Sequence, residues 1–196
     1  MPDFFLGRKG SVVFHKLINR RTFLKASLAG AAMLLSKPVF PKDLPTHKVP
    51  PGTLSLYNIH TDERLEVTYR KASGEYDQEA LTALNWVLRC HHTGQVADMD
   101  VHVIEFLDLV DKQLGGNNDI HVISGFRSHE YNQLLIKRGR NVVRNSLHVQ
   151  GKAIDISIPK VDLVLLRNTA LNLRYGGVGY YPRDFVHLDS GRFRTW

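Results

Sequence analysis

Two histidines and one aspartate near the C-terminal end of the chain have the types and spacing expected of metal ligands. His148 and Asp155 lie in the segment 146–155, and His187 follows in the segment 185–189. Two imidazoles and a carboxylate suit zinc, and a structural zinc site is usually closed by cysteine. The chain has a single cysteine. Three ligands with an open fourth position therefore indicate a catalytic zinc site, in which bound water becomes acidic enough to attack an amide near neutral pH.

The residues around these three side chains support a buried site. Asp155 stands between two isoleucines in an otherwise apolar run. A carboxylate placed there must be paired or bind a metal, because burying it alone costs several kcal/mol. His187 and Asp189 share one face of their predicted strand, since side chains alternate along a strand. Taken singly, His148 and His187 would each be read as an ordinary turn or strand histidine.

Four segments of the chain carry a family resemblance. They are residues 58–61, 123–128, 146–155, and 176–182 followed by 185–189. Together they resemble the murein endopeptidase K group of zinc peptidases in peptidase family M15, whose pattern is Ser-x-His-x6-Asp with a distal His-x-Asp. The resemblance covers about residues 19–196. It implies the α+β fold of D-Ala-D-Ala carboxypeptidases and hedgehog domains, with one zinc ion per chain held by His148, Asp155 and His187.

A peptidase of this kind needs a general base that takes a proton from the attacking water and passes it to the leaving amine. Two carboxylates are candidates. Asp184 stands three residues before His187, where several members of the resembled class place an acidic or histidine base. Asp189 stands two residues after His187 and matches the His-x-Asp of the nearer group. We expect Asp189 to be the base; the alternative is that it orients His187 or a loop amide.

Three further residues are candidates for contact with the substrate. Similar peptidases place an arginine at the position of Arg127, where it binds the scissile carbonyl or a substrate carboxylate. A guanidinium suits both because it is always charged and forms paired hydrogen bonds. The alternative is a surface arginine that caps a helix or pairs with an acid. Ser146 is expected to hydrogen-bond near the zinc or the substrate, unless it is a simple turn serine, and Tyr181 is expected to line a substrate groove.

The positive charge of the chain is unevenly distributed. Residues 1–40 contain seven Lys and Arg against one acid, whereas the rest contains 19 against 18. The basic composition is therefore no sign of nucleic-acid binding. Within the body, Lys137, Arg138, Arg140 and Arg144 form a basic run beside His148. Such a run is normally a solvated loop, and the alternative is that it meets anionic cell-wall strands.

The N-terminal region is typical of an export signal. Residues 19–25 resemble the twin-arginine motif, and the mildly apolar residues 26–35 are an h-region, far shorter than a membrane span of about 20 residues. No clear Ala-x-Ala cleavage signal follows, so the segment is either removed or kept as a membrane anchor. We assign residues 1–40 to this signal or anchor, 41–51 to a proline-rich linker and 52–196 to the peptidase domain.

Hydrophobic periodicity and capping residues predict the elements that position the site. Strands are expected over 53–59, 65–69, 120–124, 153–158, 178–181 and 185–189, and helices over 77–91, 100–115, 128–137 and 161–173. We expect an α+β fold in which helices come first and a small antiparallel sheet carries the site.

These features predict an exported zinc metallo-endopeptidase of the periplasm that hydrolyses peptide cross-links of peptidoglycan. Its partners would be the peptide stems, without nucleic acid, and we expect a monomer. Two other functions fit the same residues. One is a D-Ala-D-Ala carboxypeptidase or dipeptidase, and the other is a non-catalytic peptidoglycan-binding module.

Overall fold

The computed structural model describes residues 49–140 and 142–196. The predicted export signal and most of the predicted linker lie outside these residues. Among the residues described, no helix is long and apolar enough to cross a membrane.

The described chain forms strands, α-helices and one 3-10 helix, which lies at Leu147–Gln150. The strands are β1 Gly52–Asn58, β2 Glu63–Arg70, β3 Asp119–Ser124, β4 Ala153–Ser157, β5 Gly177–Tyr181, β6 Phe185–Asp189 and β7 Arg194–Thr195. The helices are α1 Gln78–Val87, α2 Val101–Gln113, α3 His129–Lys137 and α4 Leu163–Leu173.

Each α-helix begins at a residue whose side chain caps its free backbone amides. The caps are Asp77, Asp100, Ser128 and Asp162, and each accepts a hydrogen bond from an amide in the first turn. Such caps stabilise a helix by about 1 kcal/mol each. Helix starts were therefore predictable to within about two residues from the sequence.

The strands form one sheet in the order β2-β1-β3-β4-β6-β5-β7. This confirms the predicted α+β fold, but the expected antiparallel sheet is in fact mixed. β1 pairs with β3 in parallel, because the chain between them crosses over through α1 and α2. β7 also pairs in parallel with β5. The site strands β3, β4, β6 and β5 are antiparallel neighbours, as expected. The first two predicted strands form the antiparallel hairpin of β1 and β2, which precedes the helices.

One hydrophobic core holds the helices against the sheet. The strands contribute fully buried Leu54, Leu56, Ile120, Val122, Ile154, Ile156, Val178, Val186 and Leu188, and the helices contribute Leu84, Val103, Phe106, Leu107 and Leu166. Side chains alternate along a strand, so Asp155 points away from its isoleucine neighbours. The same alternation turns His187 away from Val186 and Leu188. The helix-facing side of the sheet is thus apolar, and the opposite side carries the polar site.

Helix α1 ends earlier than the predicted His91. After Val87, the carbonyl of Leu88 accepts a hydrogen bond from the amide of Phe126 at 2.7 Å instead of continuing the helical ladder. The chain then reverses through a turn at Gly94, which has a positive φ of 70°. This end of α1 matters for the site, because it fixes the segment that precedes Arg127.

Candidate metal centre and its cavity

The three predicted ligands come from neighbouring parts of the sheet and the 3-10 helix. Asp155 and His187 occupy the middles of β4 and β6 and face each other directly in the antiparallel pair. His148 lies in the 3-10 helix. Gly151 joins that helix to β4 with a positive φ of 67°, and a Cβ there would lie 2.4 Å from the carbonyl oxygen of Asp98. Only glycine suits this turn, which folds His148 back over Asp155.

Three potential ligand atoms converge in this arrangement. His148 Nε2 lies 3.2 Å from both His187 Nδ1 and Asp155 Oδ1. The distance between His187 Nδ1 and Asp155 Oδ1 is 2.7 Å. All three side chains are buried. Among the described residues, this is the only group of three or more histidine, cysteine or acidic side chains close enough to share one metal ion.

The remaining nitrogen of each imidazole is already engaged. His148 Nδ1 donates to the carbonyl oxygen of Gly125 at 2.8 Å, and His187 Nε2 donates to Asp189 Oδ2 at 3.2 Å. The nitrogens that face Asp155 therefore carry lone pairs. Two imidazole nitrogens and a carboxylate oxygen that converge in this way can share one cation. Ligand atoms around tetrahedral zinc are about 3.3 Å apart, so the donor types and the two 3.2 Å separations fit zinc, while His187 Nδ1 and Asp155 Oδ1, now 2.7 Å apart, would separate slightly around the ion.

The ionisation of the two central groups follows from their proximity. Burial raises the pKa of Asp155, but His148 and His187 outweigh it and hold that pKa below its usual range. Burial lowers the pKa of His187, and the carboxylates of Asp155 and Asp189 outweigh it and raise that pKa. The site thus keeps its carboxylate ionised, as a metal ligand must be.

Asp189, the expected base, is completely buried and both of its oxygens are engaged. Oδ1 accepts from the amide of Gly191 and from Arg194, at 2.8 and 2.9 Å, and Oδ2 accepts from Arg194 at 2.7 Å and from His187. Burial raises the pKa of Asp189, but His187 and Arg194 hold it at about 2. Asp189 does not line the cavity described below. This geometry favours the alternative role, in which Asp189 orients His187.

The pair of Asp189 and Arg194 depends on a glycine in the neighbouring strand. Gly177 faces Asp189 across the pairing of β5 and β6. A Cβ on Gly177 would lie 2.4 Å from an Arg194 guanidinium nitrogen and 2.5 Å from Asp189 Oδ2. The missing side chain therefore leaves the space that the ion pair occupies.

Asp184, the other candidate base, lies in the turn between β5 and β6 and is exposed. Its amide donates to the carbonyl of Tyr181 at 3.1 Å. Its carboxylate accepts no hydrogen bond from a residue that the structure describes. It precedes Phe185, which lines the cavity, but like Asp189 it is not itself a lining residue. Asp184 therefore has the free oxygens that Asp189 lacks.

A cavity of about 330 Å³ opens over the three converging ligands. Arg127, Ser146 and Tyr181, the predicted substrate-binding residues, all line it. Beside these residues and the three candidate ligands, the cavity is lined by Val142, Val143, Asn145, Leu147, Phe185, Arg194 and Trp196. The structure thus brings the predicted ligands and the predicted substrate contacts to one place.

Arg127 is buried beside the ligands and is only loosely bonded. Its terminal nitrogens donate to Asn132 Oδ1 at 3.4 Å and to Ser124 Oγ at 3.3 Å, and lie 3.9 Å from Asp155 Oδ2. Its Nε has no partner among the described residues. Burial lowers the pKa of Arg127, against the opposing charge of Asp155. Because Arg127 also lines the cavity, its guanidinium is placed to meet a substrate oxygen.

The sequence reasoning missed Asn132, Arg194 and Trp196. The indole of Trp196 is half exposed, its ring centre lies 5.2 Å from that of His187, and its N–H donates to the Tyr181 hydroxyl at 3.3 Å. A Cβ on Gly179 would lie 2.7 Å from the ring of Trp196. The sequence contains one sign of these side chains: Gly177 and Gly179 alternate on the face of the sheet that carries His187. Glycines in a strand leave space that side chains from other segments, here Arg194 and Trp196, can occupy.

Comparisons with known proteins agree with this arrangement. Residues 46–196 match the M15 family model described as peptidoglycan L,D-endopeptidase MepK, and residues 17–35 match the model of the twin-arginine translocation signal. The chain is 38% identical over 182 residues to the probable peptidoglycan L,D-endopeptidase MepK of Haemophilus influenzae, which covers 91% of this chain and 95% of that protein. It is 37% identical over 180 residues to peptidoglycan L,D-endopeptidase MepK of Escherichia coli K12, which covers 91% of this chain and 97% of that protein. The predicted export signal is thereby confirmed.

Proposed function

Because the chain belongs to the MepK family of M15 peptidases, we propose that it is a zinc endopeptidase that hydrolyses L,D peptide cross-links of peptidoglycan. The observation that carries this proposal is the convergence of His148 Nε2, Asp155 Oδ1 and His187 Nδ1 at the base of a cavity lined by Arg127. The chain is a peptidase exported by the twin-arginine route, and export brings it to the compartment that contains peptidoglycan.

The three ligand side chains would hold one zinc ion, with their other atoms fixed by the fold. Gly125 fixes the ring of His148, and Asp189 fixes the ring of His187. When bound, zinc acidifies water and polarises the scissile carbonyl. Because each imidazole is already oriented, little conformational freedom is lost when the ligands engage the ion.

Arg127, which lines the cavity, would bind the scissile carbonyl or a neighbouring substrate carboxylate through its guanidinium group. Ser146 lies at the cavity wall, 8% exposed, where its hydroxyl would bond to the peptide backbone. Tyr181, with Phe185 and Trp196, would form an apolar wall that positions the peptide and keeps water away from the carbonyl. These contacts would fix the amide in one orientation relative to the attacking water.

The proton transfer needs a base with an accessible oxygen, and we assign this role to Asp184 rather than to Asp189. The carboxylate of Asp184 is exposed in the turn between β5 and β6, three residues before His187, and it would take the proton from the attacking water and give it to the leaving amine nitrogen. Asp189 has both oxygens engaged by Arg194, Gly191 and His187. Its role would be to hold His187.

Digestion of purified peptidoglycan tests the proposal directly. The protein is incubated with cross-linked muropeptides that contain either the direct link between two diaminopimelates or the link from D-alanine to diaminopimelate. We expect loss of the first class of dimers and inhibition by a chelator. Release of free D-alanine from monomeric stems would instead identify a carboxypeptidase. Tight binding with an unchanged muropeptide pattern would identify a non-catalytic binding module.

A further inference from the structure

A strongly cationic segment borders the cavity, which two of its residues, Val142 and Val143, line. We call residues 137–140 and 142–144 the cationic lip. Its four charged side chains, Lys137, Arg138, Arg140 and Arg144, are exposed, and none forms an ion pair with a residue that the structure describes. From residue 131 to residue 154 the sequence contains no aspartate or glutamate. The lip therefore presents uncompensated positive charge.

The lip belongs to the cavity rather than to a remote surface. Val142 and Val143 line the cavity, and Val143 is 67% exposed. The segment leads directly through Asn145 and Ser146, which also line it, into the 3-10 helix that carries His148.

Asn132 holds the lip in a fixed relation to Arg127. This asparagine is fully buried on α3, and its amide nitrogen donates to the carbonyl oxygens of Val143 and Arg144 at 3.1 and 3.4 Å. Its Oδ1 accepts from Arg127 at 3.4 Å. One side chain thus connects two groups of cations, one at the base of the cavity and one at its mouth.

The charged side chains inside the cavity also leave an excess of positive charge. Arg127, Arg194 and the acid Asp155 line it. Arg194 is neutralised by its paired bonds to Asp189. Asp155 is engaged by the two histidines. What remains for a ligand is the positive charge of Arg127 and of the lip, so the complementary ligand is an anion.

We propose that the cationic lip is a binding subsite for a free carboxylate of the stem peptide, and that Asn132 positions it relative to Arg127. This inference rests on the proposed function and names its substrate class: a cross-linked peptide with free carboxylates beside the scissile amide, such as those of D-glutamate and diaminopimelate. Exposed cations attract such a carboxylate electrostatically, and dissolved salt screens this attraction and shortens its range. The lip therefore acts on substrate capture rather than on the chemical step.

The test compares two triple variants that lose equal charge. The lip variant is Arg138→Gln, Arg140→Gln and Arg144→Gln. The control is Arg64→Gln, Lys71→Gln and Lys160→Gln, three exposed positions that do not line the cavity. The substrates are one cross-linked muropeptide with free carboxylates and the same muropeptide with those carboxylates amidated. KM and kcat are measured at about 0.02 M and about 0.3 M salt, where screening lengths differ severalfold.

At low salt we expect the KM of the lip variant for the free-carboxylate substrate to rise about tenfold, with kcat within about twofold of the unmodified protein. The difference in KM between the lip variant and the unmodified protein should shrink at high salt and disappear with the amidated substrate. The control should follow the unmodified protein throughout. An unchanged KM, an equal rise in the control, or an equal loss on the amidated substrate overturns the inference.

Asn132→Ala provides a second measurement of the positioning role. We expect its KM for the free-carboxylate substrate to rise while bound zinc stays at the unmodified level. If that variant fails to fold, the charge variants still decide the question. Failure of the proposed function looks different, because the unmodified protein would then cleave neither substrate.

Discussion

Asp155 and His187 lie opposite each other in the antiparallel pair of β4 and β6, and their facing atoms are 2.7 Å apart. Two of the three candidate ligands are thus set by strand register. A slip of one residue would turn either side chain to the apolar, helix-covered face. The third ligand, His148, is brought in by the left-handed turn at Gly151.

Removal of a ligand should remove the metal. We expect the purified protein to bind about one zinc ion, and His148→Ala and His187→Ala each to lose both zinc and peptidase activity. Elemental analysis of the dialysed proteins measures the metal content. His102→Ala, at an exposed position on α2, is the matched control and should keep its zinc. Full zinc content in both ligand variants would end the assignment.

The two aspartates should give opposite results when each is changed to asparagine. Asp189→Asn weakens the ion pair with Arg194 and the bond to His187, so we expect zinc affinity to fall about 10- to 100-fold. Asp184→Asn should keep its zinc and lose about a hundred- to ten-thousand-fold in kcat, as expected for a lost base. Zinc affinity by competition with a chelator and kcat on a cross-linked muropeptide separate the two. A zinc-loaded, inactive Asp189→Asn beside an active Asp184→Asn would reverse the roles.

Gly177→Ala should damage the site without touching a ligand. The added methyl group would overlap the ion pair of Arg194 and Asp189, so we expect a loss of about 1–3 kcal/mol in unfolding free energy and weaker zinc binding. Gly179→Ala is the control, since the three atoms nearest to its methyl group all belong to the ring of Trp196 and none to the ion pair. Chemical denaturation of both variants measures the difference. Equal zinc affinity in the two would contradict the orienting role of Asp189.

Acid should destabilise the fold through His91, at a distance from the metal centre. Burial and the nearby His60 and His92 lower the pKa of His91 from 6.5 to about 4. The unfolded chain therefore takes up a proton at higher pH than the folded protein does. His91 contributes its full stability above about pH 6.5, and this contribution is lost as the pH falls toward about 4.

The measurement is the thermal midpoint across that range. As the pH is lowered from about 7 to about 5, we expect the thermal midpoint of His91→Gln to fall less than that of the unmodified protein. Parallel curves for the two proteins would show that another group is responsible.

The export signal is testable apart from the metal site. Because the twin-arginine pair is the recognised feature, Arg20→Lys combined with Arg21→Lys should retain the protein in the cytoplasm. Fractionation followed by immunoblotting measures the distribution. The substitution Lys25→Gln serves as the control, since it leaves both arginines. Undiminished amounts of the double variant in the periplasm would refute this dependence.

Much of the local structure was predictable from the sequence because local signals determine it. The capping residues Asp77, Asp100 and Ser128 predicted the starts of three helices. The apolar neighbours of Asp155 predicted a buried strand. The clustering of His148, Asp155 and His187 was expected from the family resemblance, and the structure brings them together.

Other features depend on contacts between distant residues and left no local pattern. The parallel pairing of β1 with β3 follows from a crossover, and the two-residue β7 is too short to show periodicity. Trp86 fits the apolar period of α1, yet it is 53% exposed, because its indole N–H bonds to Glu63 at 3.0 Å and Arg89 packs over its ring. The role of Arg194 likewise depends on Gly177 in another strand.

Two hydrogen bonds join the segment before α3 to His148, the candidate ligand on the 3-10 helix. Gly125 accepts from the ring of His148, and the amide of Arg127 donates to the carbonyl of His148 at 3.1 Å. Gly125 itself lies so close to Leu88 that any side chain there would meet its carbonyl. For protein engineering, this means that the arginine and the ligand form one inseparable unit. Attempts to retarget the enzyme should leave that unit intact and exchange the lip, which reaches it through Asn132.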